Sequence, residues 1–73
     1  MRWLKTRDGT EVLNVEKIEK VYVEEVSYIN EPECWFVYAD MEGESYPLGK
    51  FVDRSDAMIF LESLMFRLTT SYV

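Results

Sequence analysis

The chain has no histidine and a single cysteine, Cys34. Nucleophilic catalysis built on a Ser–His or Cys–His pair is therefore excluded. A zinc centre would have one thiol and no imidazole to work with. One cysteine also rules out a disulfide within the chain. Glycine is scarce, at three residues, and none forms a Gly-rich loop ahead of a helix, so a phosphate cradle has no basis. No stretch approaches the roughly 18 apolar residues needed to cross a bilayer. Residues 1–5, Met-Arg-Trp-Leu-Lys, have no apolar run behind their charges, so no signal peptide is expected. A reduced, cytoplasmic setting is the expectation for one free thiol.

The most telling absence is of positive charge in the middle of the chain. Residues 21–49 contain no Lys or Arg, yet hold seven carboxylates: Glu24, Glu25, Glu31, Glu33, Asp40, Glu42 and Glu44. The first twenty residues carry a net +1 and residues 50–73 a net 0, so the formal charge of -6 is the -7 of this segment plus that +1. The same stretch holds Tyr22, Tyr28, Trp35, Phe36, Tyr38 and Tyr46. A one-sign field governs which partners approach, and here it favours basic ones. Arg2, Lys5 and Arg7 form a small basic set, but the rest would repel a nucleic acid backbone, so no direct nucleic acid contact is expected.

At 73 residues the chain is expected to be one domain. Such a chain buries only roughly 60% of its unfolded surface. With no disulfide and no metal site, stability must come from tight packing or self-association. An apolar content of 48% argues for a folded protein.

The pattern reads as five strands followed by one helix. A short strand covers residues 3–6, and Asp8-Gly9 is a two-residue hairpin signal leading to a return strand at 10–13. Residues 14–17 turn the chain. A long β-rich run spans 18–29, and the spacing of Val21, Val23 and Val26 suggests a bulge near Glu24-Glu25. After a loop at 30–33, residues 34–41 form the strongest strand. Trp35, Val37, Ala39 and Met41 share one face; Cys34, Phe36, Tyr38 and Asp40 share the other. Glu42-Gly43 is a turn, and Pro47 assigns the strand at 44–51 to a sheet edge. The helix begins near Asp53, a good N-cap, with Asp56 in the first turn. Ala57, Leu61, Leu64, Met65 and Leu68 share the face that packs on the sheet, with Phe60 and Met58 at its margins. Ile59 and Phe66 lie opposite and mark an oligomer interface, with Tyr72 and Val73 nearby in the tail. The expected fold is α+β: a bent antiparallel five-stranded meander with one C-terminal helix packed on it.

Trp3-Leu4-Lys5, Asp8-Gly9, Asn14, Ile18, Val21, Val23, Trp35, Val37, Ala39, Gly43, Leu48-Gly49-Lys50-Phe51, Ala57, Leu61 and Leu64 together make a pattern. It resembles a group of short uncharacterised proteins of Gram-positive bacteria and their phages. The resemblance covers residues 3–64. Its motifs are turns, core positions and a helix cap, so it implies a fold and a bacterial or phage context and no chemistry.

Other constellations point away from catalysis. Cys34 sits between Glu33 and Trp35, and neighbouring carboxylates disfavour the thiolate. Glu24 and Glu25 face opposite sides of a strand unless it bulges there. The run from Asp40 to Glu44 resembles a calcium loop in outline but lacks the remaining ligands. No metal, cofactor or catalytic residue is expected. Aromatics beside acids resemble interface anchors within a polar rim. The expected function is a non-enzymatic protein-binding module whose Glu24, Glu25, Tyr38, Asp40, Glu42 and Glu44 meet a basic surface of another protein. Its concrete version is a phage-derived inhibitor of a host nucleic-acid-binding or defence protein. The alternatives are a self-associating assembly protein, a homo-oligomer through Ile59 and Phe66, and a small-ligand site at an oligomer interface.

Overall fold

Leu4 and Leu13 face each other across the first hairpin, formed by β1 (Trp3–Lys5) and β2 (Val12–Asn14). The computed structural model describes residues 3–70, with backbone alone for 68–70. Arg2, Tyr72, Val73 and the side chain of Leu68 lie outside the described residues. The hairpin is not closed by a two-residue turn at Asp8-Gly9. Thr6 pairs with Glu11, its N–H donating to the Glu11 carbonyl at 3.0 Å, so the connection is the four residues 7–10. Side chains decide this. Asp8 Oδ1 accepts from the Thr6 hydroxyl at 2.9 Å, the Thr10 hydroxyl at 2.8 Å and the Thr10 N–H at 3.1 Å. The hydrogen bonds from Thr10, then Thr6, hold the Asp8 carboxyl below its ordinary value. Gly9 takes φ +75°, open to glycine at no steric cost.

The five strands do not form one meander. A 3-10 turn over Val15–Lys17 follows β2, capped by Asn14, whose Oδ1 accepts the Glu16 N–H at 3.0 Å. That turn redirects the chain before β2 and β3 can pair. The result is a two-stranded sheet and a separate three-stranded antiparallel sheet, ordered β3 (Lys20–Val26), β4 (Cys34–Met41), β5 (Glu44–Phe51). The hairpin docks at the far side instead, where the Arg7 N–H donates to the Pro47 carbonyl at 2.8 Å.

The register of β3 on β4 is unbroken from Lys20 opposite Asp40 to Val26 opposite Cys34, so the bulge expected at Glu24-Glu25 is absent. Val26 falls on the face opposite Val21 and Val23. The β-rich run also ends earlier than its composition suggests: β3 stops at Val26, and Ile29 is 91% exposed in the following loop. The irregularity lies in β5. Val37 faces Gly49 while Tyr38 faces Pro47, leaving Leu48 as an extra residue. Pro47 has no N–H to give a ladder, and the bulge turns Leu48 into the core. Glu42 and Gly43 form a two-residue turn with φ +54° and +83°, the left-handed pair that matches hairpin twist.

Helix α1 (Arg54–Thr70) follows directly, and the Asp53 carbonyl accepts the Ala57 N–H at 3.3 Å. Ala57 and Leu64, seven residues apart, are buried against Val37 and Ala39 of β4, with Leu13 and Leu48 completing the core. Leu61 and Phe60 pack beside them, and the Phe60 ring lies 5.3 Å from that of Phe51. Met65, expected on this face, is 53% exposed. It sits about 80° around the helix from Ala57 at 100° per residue, past the rim of a sheet only three strands wide. Ile59 and Phe66 lie on the side away from the core, 61% and 68% exposed.

Candidate functional site

Antiparallel partners point to the same side of a sheet. Since Val37 and Ala39 face α1, the even-numbered residues of β3 and β4 make the opposite face, which α1 leaves uncovered. The register sets them in rows. Lys20, Asp40 and Ser45 form the first; Tyr22, Tyr38 and Pro47 the second; Glu24, Phe36 and Lys50 the third; Val26 and Cys34 the last.

Three rings run across this face. Tyr22 and Tyr38 have centroids 5.6 Å apart at 31°, and Tyr38 and Phe36 5.6 Å apart at 15°. Such pairs contribute roughly 0.5–1.5 kcal/mol each beyond burial. Cations stand at both ends of the line: Lys20 Nζ lies 4.7 Å from the Tyr22 centroid and Lys50 Nζ 6.0 Å from that of Phe36. All three rings are half-buried. Burial first, then the Glu24 charge, raises the Tyr38 phenol above its ordinary value, so it stays a neutral donor. Beside the rings, Ser45 Oγ donates to Asp40 Oδ1 at 2.6 Å and lies 3.0 Å from the Tyr22 hydroxyl. With the serine proton committed to Asp40, the tyrosine is the donor in the second bond. This fixes the Tyr22 ring and the Asp40 carboxylate relative to each other.

The six residues expected to meet a partner do not form one surface. Glu24, Tyr38 and Asp40 share the open face. Glu25 and Glu44 belong to the side facing α1. The Glu25 carboxyl is held above its ordinary value by hydrogen bonding to Glu33 and by that neighbour's charge. Glu44 accepts the Tyr46 hydroxyl at 2.8 Å, a bond that raises the Tyr46 phenol. Glu42 sits in the β4–β5 turn, with Lys17 Nζ at 3.5 Å. Alternation separates Glu24 from Glu25, and the two-residue turn, which sets Glu44 opposite Met41, sends Glu44 to the face that Asp40 does not share.

Alternation in the sequence puts Phe36 on the Tyr38 side, but Tyr22, Phe36, Lys20, Lys50 and Ser45 are not among the expected site residues and join the site through strand register. The signal for Tyr22 was its period-two spacing with Glu24 along an unbroken strand. Lys20 and Lys50 bracket the lysine-free segment in sequence, and register folds both back onto its open face. The face therefore carries two cations against Glu24 and Asp40. Cys34 is also on this side but only 5% exposed, its thiol donating to the Val26 carbonyl at 3.7 Å. Among the described residues, no three His, Cys, Asp or Glu side chains converge to hold a metal ion, and no helix is long and apolar enough to cross a membrane. No family model, curated protein or solved structure matches this chain.

Proposed function

We propose that this protein is a non-enzymatic binding module that docks the open face of its three-stranded sheet on a basic surface of another protein. The observation that carries the reading is the line of half-buried rings, Tyr22, Tyr38 and Phe36, on the face that α1 leaves bare. Rings anchored by their neighbours offer contact area at low entropic cost, and Glu24 and Asp40 beside them supply acceptors for Lys or Arg. The net charge of -6 steers basic partners toward the molecule and disfavours phosphate backbones. In the phage context that the resemblance implies, the partner would be a host nucleic-acid-binding or defence protein, with carboxylates standing in for phosphates.

The test is a titration of isotope-labelled protein with an arginine-rich peptide, followed by amide NMR shifts. The expected result is shifts centred on Tyr22, Glu24, Phe36, Tyr38 and Asp40 that fade as salt rises. Asp40→Asn and Tyr38→Ala should each weaken binding, whereas Glu44→Gln should not. Tyr38→Ala removes two ring pairs, so a stability loss of about 1–3 kcal/mol accompanies it; Asp40→Asn provides the comparison with little loss. Shifts confined to α1, or equal effects of Asp40→Asn and Glu44→Gln, would refute the reading. Self-association through Ile59 and Phe66 is the second reading, supported by their exposure on the helix back.

A further inference from the structure

The two edges of the three-stranded sheet differ. The β5 edge is protected by the usual devices: Pro47 lacks an N–H, Leu48 bulges out of register, and the Arg7 N–H occupies the Pro47 carbonyl. The β3 edge lacks these three and carries only its charged side chains, Lys20, Glu24 and Glu25, against pairing. It runs seven residues, Lys20–Val26, without proline, glycine or bulge, and among the described residues no strand pairs with its outer side. The 3-10 turn that separates β2 from β3 is what leaves it open.

We propose that this edge pairs antiparallel with β3 of a second copy, joining the two sheets into one of six strands. The side-chain pattern selects a register. A two-fold axis perpendicular to the sheet keeps equivalent faces together, so residue numbers across the junction must sum to an even value. With Tyr22 on the axis, Lys20 faces Glu24 of the second copy, Val21 faces Val23, and Tyr22 faces Tyr22. Unlike charges then meet twice on the outer face and valines meet twice on the inner face. Sliding each strand toward its C-terminus instead sets Val21 against Glu25, and sliding the other way sets Lys20 against Tyr22. The sequence at the edge is thus self-complementary in one arrangement. Glu19 and Glu25 would come next in line, but β3 begins at Lys20, and the Glu19 carboxylate is turned to accept the Glu42 N–H at 3.3 Å. In this dimer the ring line Phe36–Tyr38–Tyr22 continues through the axis into its copy. The inference does not depend on the docking reading, since the dimer forms or fails to form without any peptide.

The test is sedimentation equilibrium of the full chain from low to high micromolar concentration. The expected mass at the upper end is twice 8.7 kDa. Lys20→Glu and Glu24→Lys should each weaken the dimer roughly tenfold or more, and the double variant should restore it. Both side chains are exposed, and circular dichroism checks that each variant stays folded. As a measure independent of charge, Tyr22→Cys should cross-link into a dimer under mild oxidation, whereas Lys50→Cys, on β5, should not. A single-chain mass throughout overturns the proposal. So does a dimer that survives both charge reversals but is lost on Phe66→Glu, or a double variant that fails to restore association.

Discussion

Gly49→Ala should destabilise the protein, although glycine inside a strand is normally the poorer residue by about 0.5–1 kcal/mol. The reason is the Phe51 ring, two residues on and on the same side of β5. A Cβ at position 49 would lie 2.8 Å from Phe51 Cε2 and 3.1 Å from Cζ, with Phe60 Cε1 at 3.7 Å. Contacts that close require the ring to move. Phe51 is held against Phe60 at 5.3 Å, the aromatic contact that joins β5 to α1. Displacing it forfeits roughly 0.5–1.5 kcal/mol of ring pairing, and overpacking adds about 1–3 kcal/mol. Set against the backbone gain, the net loss is about 1–4 kcal/mol. Urea unfolding followed by circular dichroism should show the midpoint falling by roughly 1 M or more, given a slope of about 1 kcal/mol/M for a chain this small. The decisive comparison is the same change in a Phe51→Leu background. Without the ring, Gly49→Ala should become neutral or stabilising by about 0.5 kcal/mol. An equal cost in both backgrounds, or a gain in the parent protein, would refute the overlap as the cause.

Glu42→Asn should stabilise the protein, because Glu42 holds φ +54° in the two-residue turn, where asparagine is tolerated far better. The exposed contact with Lys17 that is lost is worth little, so a net gain of about 0.5–1 kcal/mol is expected, seen as a rise of several degrees in Tm. Glu33→Gln should stabilise the protein at neutral pH. Hydrogen bonding and repulsion from Glu33 raise the Glu25 carboxyl in the folded state. A raised acid favours folding below its unfolded value, 4.5, and that advantage is lost as pH rises through the folded value. The gain from Glu33→Gln in urea titrations should therefore appear above about pH 5 and vanish in acid; a gain independent of pH would argue against the pair.

Much of the local structure was legible in the chain. Alternation along 34–41 assigned Val37 and Ala39 to the core face, and the structure buries both. Glu42-Gly43 marked the β4–β5 turn, Pro47 marked an edge strand, and helical spacing placed Ala57 and Leu64 inward and Ile59 and Phe66 outward. Each of these rests on a short-range rule: a dihedral preference, a missing N–H, or a repeat of 2 or 3.6 residues. Other features depend on contacts between distant segments. Whether β2 would pair with β3 turned on one Asn14 cap and the 3-10 turn it stabilises. Where the sheet would bulge was decided at Leu48, beneath α1, and not at the adjacent glutamates where valine spacing pointed.

The candidate site divides in the same way. Composition and alternation establish that the chain lacks histidine and a second thiol, that its acids and aromatics share one segment, and that Phe36, Tyr38 and Asp40 fall on one side of a strand. Which acids share that side depends on how the strands pair. Register brought Tyr22, Lys20 and Lys50 beside Tyr38 and sent Glu25 and Glu44 to the other face. The physical reason is that strand pairing has a period of two, so a displacement of one residue exchanges every side chain between faces. Composition is unchanged by such a displacement, and only the packed core, with Leu48, Ala57 and Leu64 closing over Val37 and Ala39, selects between the alternatives.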